Sequence, residues 1–304
     1  MPILHDFNYY KPKSLAEAIR LLSGHRGAAI LAGGTDIINE IREEVAKPSA
    51  LIDIKGLSSL KNIIFKDGRL TIGSLVTYSG IIESNVIKKR LPIFIEVAKT
   101  VGSLGIRNRA TMVGNICSAV PCMDSGPILS VFDATVIVQS TKGKRRIPIH
   151  EWFYGPRETA RKKNELVMAV EIPIPRTKHA GCYAKLGRYS GEDLAQASVL
   201  VIALADRGYR VAFGSVGPVP IRAHEIEKLL NGKVPNEILI AQAQKLIPKI
   251  VAPISDIRAT KEYRLHMCQV MFERALVTAF DRLNGSGPEY GINVAELIGG
   301  VYEN

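Results

Sequence analysis

Gly33, Gly34, Thr35 and Asp36 stand between an apolar stretch, Ala28 to Ala32, and an amphipathic one, Ile37 to Ile41. Paired glycines let a backbone approach a ligand with no Cβ in between. A helix N-terminus that follows aims free N–H groups and the positive end of its dipole at the same point. Strand, glycine turn and helix start together suit a pyrophosphate. A second set of this kind runs from Ile106 to Ile116. There Gly114 permits close approach, Thr111 and Asn115 carry short hydrogen-bonding side chains, and Arg107 and Arg109 carry charge that would neutralise phosphate. Asp124 lies nine residues beyond Asn115 and is an acceptor suited to ribose or ribityl hydroxyls. Two glycine loops and a carboxylate exceed what a mononucleotide requires. They suit a dinucleotide.

Other chemistries find little support. Cys117, Cys122, Cys182 and Cys268 show no CxxC spacing, and the six histidines form no HxH or HxxxH pair. No metal or iron–sulfur site is therefore expected within this chain, and reduced thiols suit a cytoplasmic protein. The formal charge is +11, with basic runs at 88–90, 142–146 and 161–163. No aromatic residue is interleaved with them, so nucleic-acid binding is not expected. They read as solvated loops and helix ends, or as a face for an acidic protein partner. Residues 1–6 lack the basic start and apolar run of a signal peptide. The longest apolar run, Ala197 to Ala205, is too short to span a bilayer and reads as a buried strand. No membrane contact is expected.

The elements that must hold the two loops follow from periodicity. Ser14-Leu15-Ala16-Glu17 is a capping box opening a helix to about Leu22. Strands are expected at 28–32 and 50–54 with a helix over 36–43 between them. A hairpin at 63–65 and 70–72 turns on Asp67-Gly68. Helices over 78–89 and 92–100 precede a loop-rich segment, 101–127, whose length marks it as functional. A short helix (128–132) and strands at 134–139, 146–149 and 165–172 complete this half. Pro173-Ile174-Pro175 marks a boundary, since neither proline can join a central ladder. Beyond it come strands at 182–188, 198–205 and 210–215, then helices near 223–231, 236–248 and 261–283. At 304 residues the chain has room for two domains, each with a core. The expected fold is α+β: a two-part domain over 1–175, then a smaller domain over 176–304 with an antiparallel three-stranded sheet and helices.

With these stretches in view, the chain resembles the FAD-binding medium subunits of molybdenum hydroxylases. That group includes carbon monoxide dehydrogenase and xanthine dehydrogenase. The resemblance is carried by AGGTD (32–36), IRNRAT (106–111), TMVGN (111–115), Asp124 with Pro127, AKLGR-SGEDLA (184–195), GSVGPVPIRA (214–223) and ATKEYRLHM (259–267). They span nearly the whole chain in order, and the last looks most like bacterial xanthine dehydrogenase flavin subunits.

The resemblance implies an FAD-binding domain of the vanillyl-alcohol-oxidase type followed by a carbon monoxide dehydrogenase flavoprotein C-terminal domain. It implies that Ile30, Leu31, Ala32, Gly33, Gly34, Thr35, Asp36 and Ile37 wrap the FAD pyrophosphate. Thr111, Gly114 and Asn115 would hold its other side, and Asp124 a sugar-like hydroxyl. Val101 would pack near the cofactor, Val167 would line the flavin ring, Lys185 would lie near the isoalloxazine, and Asp193 would tune its surroundings. Molybdopterin and [2Fe-2S] clusters would belong to partner subunits, large and small, in a dimer of heterotrimers. This chain would pass electrons to NAD⁺ or another acceptor.

One departure stands out. The family usually writes two glycines before the asparagine, where this chain has Val113-Gly114. A β-branched residue tolerates φ > 0 poorly, so an altered turn and weaker FAD binding are expected. Plainer roles also compete: Lys185 could snorkel from an apolar strand, and Asp124 could cap the helix after it. A self-contained FAD-dependent oxidoreductase of similar fold and a nucleotide-binding scaffold without turnover are the rival functions.

Overall fold

The computed structural model describes residues 3–189 and 193–296. Ser190 to Glu192, within the AKLGR-SGEDLA stretch, lie outside the described residues. The first part of the chain is a small parallel sheet. Strands β1 (Asn8–Tyr10), β2 (Ala28–Leu31) and β3 (Ala50–Asp53) pair in the order β1-β3-β2. Parallel neighbours need crossovers, and α1 (Leu15–Gly24) and α2 (Ile37–Arg42) supply them. Ser14 Oγ caps α1 by accepting from the Glu17 N–H at 3.2 Å, while the Glu17 carboxylate accepts from the Lys13 N–H at 2.7 Å. Strand β1 was not expected, because three residues carry too little periodicity to show.

The second part is an antiparallel sheet with helices inserted in one connection. The β4 (Ile63–Lys66) and β5 (Arg69–Gly73) hairpin turns on Asp67 and Gly68, both at positive φ, as a two-residue primed turn requires. Six short helices follow: α3 (Tyr78–Glu83), α4 (Asn85–Arg90), α5 (Ile93–Lys99), α6 (Leu104–Arg107), α7 (Met112–Ser118) and α8 (Ser125–Val131). Strands β6 (Thr135–Ser140), β7 (Gly143–Pro148) and β10 (Leu166–Pro173) complete a sheet of order β4-β5-β10-β6-β7, while β8 (Phe153–Gly155) and β9 (Glu158–Thr159) form a small arm.

Two expectations fail here. The helix over 78–89 breaks at Ser84, which ends α3 and caps α4 by accepting from the Ile87 N–H. The segment 101–127 is not irregular but holds α6, α7 and the first turn of α8, the helix expected over 128–132, which begins three residues earlier. Ser103 and Thr111 cap the first two through side-chain oxygens, and helices of four to seven residues are too short to show a 3.6-residue period.

The C-terminal part is an antiparallel sheet of four strands, not three. They are β11 (His179–Leu186), β12 (Ala197–Leu204), β13 (Tyr209–Gly214) and the two-residue β14 (Ile221–Arg222). The expected helix over 236–248 also divides, into α10 (Glu237–Gln244) and α11 (Ile247–Ile250), after α9 (His224–Leu230). Pro248 at the start of α11 cannot continue a preceding helix. Helix α12 (Lys261–Asn284) packs across β11 and β12 through Cys268, Met271, Phe272, Ala275, Leu276 and Ala279. No helix among the described residues is long and apolar enough to cross a membrane.

Strand alternation splits β11 and β12 between two cores. Cys182, Ala184, Val199 and Val201 face α12, whereas Tyr183, Leu200 and Ile202 enter the core of the five-stranded sheet and its helices. This is why Ala197 to Leu204 reads as one unbroken apolar run: both faces are buried.

Candidate cofactor site

A cavity of about 740 Å³ runs along the junction of these parts. Its walls are the 32–37 loop, the start of α7, the turn between α5 and α6, the beginning of β10, and the 193–194 loop. Ile30, Ala32, Gly33, Gly34, Thr35, Asp36, Ile37, Val101, Thr111, Gly114, Asn115, Asp124, Val167 and Asp193 all line it. Of the residues singled out from sequence, Leu31, Arg107, Arg109 and Lys185 do not. Leu31 turns into a small core with Ile41 and Leu51.

The first loop has the stereochemistry of an anion cradle. A Cβ on Gly33 would lie 2.2 Å from the Arg109 carbonyl oxygen, and Gly34 sits at φ +81°, so both positions demand glycine. Among the described residues, the N–H groups of Gly33, Gly34, Thr35, Asp36 and Ile37 have no hydrogen-bond acceptor. Five free donors in a row against a cavity are a strong preference for negative charge. The Asp36 carboxylate does not fold back to cap them. It accepts from Ser118 Oγ at 2.5 Å, joining α2 to α7.

The second loop is held more by its own side chains. Thr111 Oγ1 accepts from the Gly114 N–H at 2.9 Å, and Asn115 Oδ1 accepts from the Ser125 N–H at 3.1 Å, linking α7 to α8. These side chains set the wall. Val113 lies within α7, not at positive φ, and its side chain is buried in the main core. The altered turn expected from Val113 is therefore absent, because the position is helical and a branched apolar side chain packs well there. Arg107 is not free to meet phosphate. Its guanidinium donates to the carbonyls of Lys99, Val101 and Gly102 and fixes the turn between α5 and α6.

Asp124 lines the cavity, and Lys185 meets it from behind that wall. Lys185 Nζ lies 3.0 and 3.1 Å from the two Asp124 carboxylate oxygens and donates to the Thr100 carbonyl at 2.8 Å. Tyr183, two residues back on the same face of β11, donates its hydroxyl to Asp124 Oδ1 at 2.9 Å. Burial, with Asp124 beside it, raises the Tyr183 phenol well above its ordinary value, so it remains a donor. Lys185 is only 5% exposed, which excludes snorkelling, and Asp124 makes no side-chain cap to α8 although it occupies the N-cap position. Asp193 accepts from the Arg188 and Leu194 N–H groups at 2.5 and 2.7 Å and shapes the loop at the far wall.

Several contributors were not singled out from sequence. Arg157 and Arg161 line the cavity, the first ion-paired with Glu40 on α2 and the second donating to the Glu165 carbonyl at 3.1 Å. Tyr183 was within reach of sequence reasoning, since residues two apart on a strand share a face. Arg161 opens the basic run at 161–163 and Arg157 precedes it, and neither gave a sign of its target. Cys117 and Cys122 also line the cavity; burial pushes the Cys117 thiol up to about 11 and raises that of Cys122, so neither is a ready nucleophile.

A cavity walled by a glycine loop on one side and the glycine-bearing start of α7 on the other suits a dinucleotide. Comparison with known proteins makes this specific. Residues 5–175 match the family model described as the FAD binding domain in molybdopterin dehydrogenase, and residues 196–279 that of the CO dehydrogenase flavoprotein C-terminal domain. The chain belongs to this family of FAD-binding molybdenum hydroxylase subunits. It is 30% identical to a xanthine dehydrogenase FAD-binding subunit of Escherichia coli O157:H7, over 93% of this chain and 99% of that one. It is 31% identical to a glyceraldehyde dehydrogenase medium chain of Sulfolobus acidocaldarius, over 89% and 97%. Among solved structures, a chain of reconstituted CO dehydrogenase from Oligotropha carboxidovorans superposes with a TM-score of 0.89 at 30% identity, covering 92% of this chain and 100% of that chain.

Proposed function

We propose that this chain holds FAD with its pyrophosphate between residues 32–36 and 111–115, and relays electrons within a multi-subunit dehydrogenase. The observation that carries the reading is the run of five acceptorless N–H groups facing a cavity near the upper end of the usual ligand-site range. The residues fit the group. Gly33 and Gly34 clear the backbone, the N–H run meets the diphosphate, and Asp124 offers a carboxylate to a hydroxyl of the ribityl chain. Val101 and Val167 supply apolar contact for the ring, and Asp193 shapes the loop beside it. Lys185 acts through Asp124, holding its carboxylate in place. When bound, FAD accepts electrons singly and releases them as a pair.

In this reading a [2Fe-2S] small subunit delivers electrons, and a molybdopterin-binding large subunit oxidises a purine, N-heteroaromatic or aldehyde. NAD⁺ or another acceptor removes the electrons, in a cytoplasmic dimer of heterotrimers. Residues 1–175 form the cofactor domain and 176–304 the C-terminal domain. The test is to purify the chain alone and add xanthine, nicotinate and simple aldehydes anaerobically. Flavin absorbance should be present, releasable by acid as intact FAD, and unbleached by any of these compounds. Bleaching without partner subunits would mean a complete enzyme.

A further inference from the structure

A second recess, of about 260 Å³, adjoins the first glycine loop. It shares Ala32, Gly33 and Thr111 with the main cavity and no other lining residue. The Gly33 backbone lies hard against the Arg109 carbonyl at that shared wall, so the two spaces are separate compartments.

The chemistry of the recess is one-sided. Lys55, Lys61 and Arg109 line it, and no carboxylate does. Lys61 and Arg109 are exposed and have no ion pair or side-chain hydrogen bond among the described residues. Lys55 is 3.1 Å from Asp53, but that carboxylate is buried and also accepts from the Tyr9 hydroxyl and the Lys55 N–H. Asn108 Oδ1 accepts from Ser79 Oγ at 2.5 Å, which leaves its amide NH₂ free to donate. Thr77 Oγ1 accepts from the Gly80 N–H at 3.1 Å, which leaves its hydroxyl hydrogen free. Residues bearing two ammonium groups, a guanidinium, an amide and a hydroxyl thus line a space with no carboxylate in its wall.

We propose that this recess is a second anion site that takes a phosphoryl group. Its volume is too small for a dinucleotide but ample for a phosphate, free or at the end of a nucleotide whose remainder lies outside. A tetrahedral dianion with several acceptor oxygens matches a fan of cationic donors better than a single carboxylate does. The assignment stands on this recess alone and does not depend on the cofactor reading.

The full chain, saturated with FAD, would be titrated calorimetrically with inorganic phosphate, AMP and NAD⁺, with adenosine as the phosphate-free control. The expected result is one saturable site, weakened about tenfold by Lys61→Gln and again by Arg109→Gln, with the FAD content of Lys61→Gln unchanged. AMP or NAD⁺ competing with phosphate would identify a nucleotide as the source; phosphate binding without such competition would identify the free ion. Absence of binding by every phosphate compound, equal binding by the variants, or adenosine binding as tightly as AMP would overturn the proposal. A chain that retains no FAD would defeat the cofactor reading instead, and the same titration on it would still report on Lys61 and Arg109.

Discussion

Asp124 and Lys185 could each be picked out from the sequence, yet their meeting could not, because 61 residues separate them and no local period joins them. Their pairing sets a clear expectation. Removing one partner of a buried ion pair strands the other charge at a cost of about 3–5 kcal/mol, whereas removing both can be nearly neutral. Lys185→Met should therefore lower stability by that order in urea unfolding and weaken FAD retention. Lys185→Met with Asp124→Asn should recover most of the stability, since an asparagine can still accept from Tyr183. Equal losses in the single and double variants would show that the pair is not coupled. Gly33→Ala is the complementary case. Its Cβ would meet the Arg109 carbonyl oxygen at 2.2 Å, so one backbone must move. The purified variant should carry little flavin, read directly from its visible spectrum. The glycines were legible because their chemistry is local; the rescue of Val113 by a helix was not, because it depends on what α7 packs against.

At the scale of elements, the first glycine turn, the hairpin and the long final helix could be read from turn residues and periodicity. Helices α6 and α7 could not, since each is shorter than two full turns and is defined by caps and tertiary contacts. The start of α12 offers a test of one such local device. Arg264, near its first turn, is buried and pairs with Asp256 at 2.6 Å, while the Arg258 and Ala259 N–H groups donate to the same carboxylate. Burial pushes the Asp256 pKa up, but these hydrogen bonds and the Arg264 charge outweigh it and hold the pKa at about 2, below the ordinary 3.8. A carboxyl depressed by folding contributes stability that is present above its unfolded value and lost as pH falls through the folded one. Asp256→Asn should therefore melt several degrees below the native chain at pH 6. The difference should shrink below pH 4 and vanish only below pH 2. A gap in melting temperature that is constant across that range would mean the carboxylate charge contributes nothing there.

Over the whole molecule, the sheet of β11 to β14 belongs to two cores at once, and this binds the halves more tightly than a linker at Pro173-Ile174-Pro175 would suggest. Glu96 on α5 is buried and accepts from the Tyr183 and Gly291 N–H groups at 2.7 and 2.9 Å. Arg282 on α12 pairs with it at 2.8 Å and donates to the Gly181 carbonyl at 2.7 Å. One carboxylate thus ties a helix of the cofactor half to a strand, a helix and the chain beyond that helix in the C-terminal half. Alternate residues of β11 and β12, including Tyr183, Leu200 and Ile202, complete the apolar core of the first half. A fragment of residues 1–175 would expose that surface and lose the Tyr183 and Lys185 contacts to Asp124. Apolar area left in water costs about 25 cal/mol per Å², so three large side chains alone remove several kcal/mol from a domain of ordinary stability. The full chain should unfold in a single calorimetric transition despite its two sheets. The 1–175 fragment should bind a hydrophobic dye and retain no FAD. Two separate transitions in the full chain, or a fragment that folds and holds flavin unaided, would show that the cofactor half is self-sufficient and that the shared sheet merely rests against it.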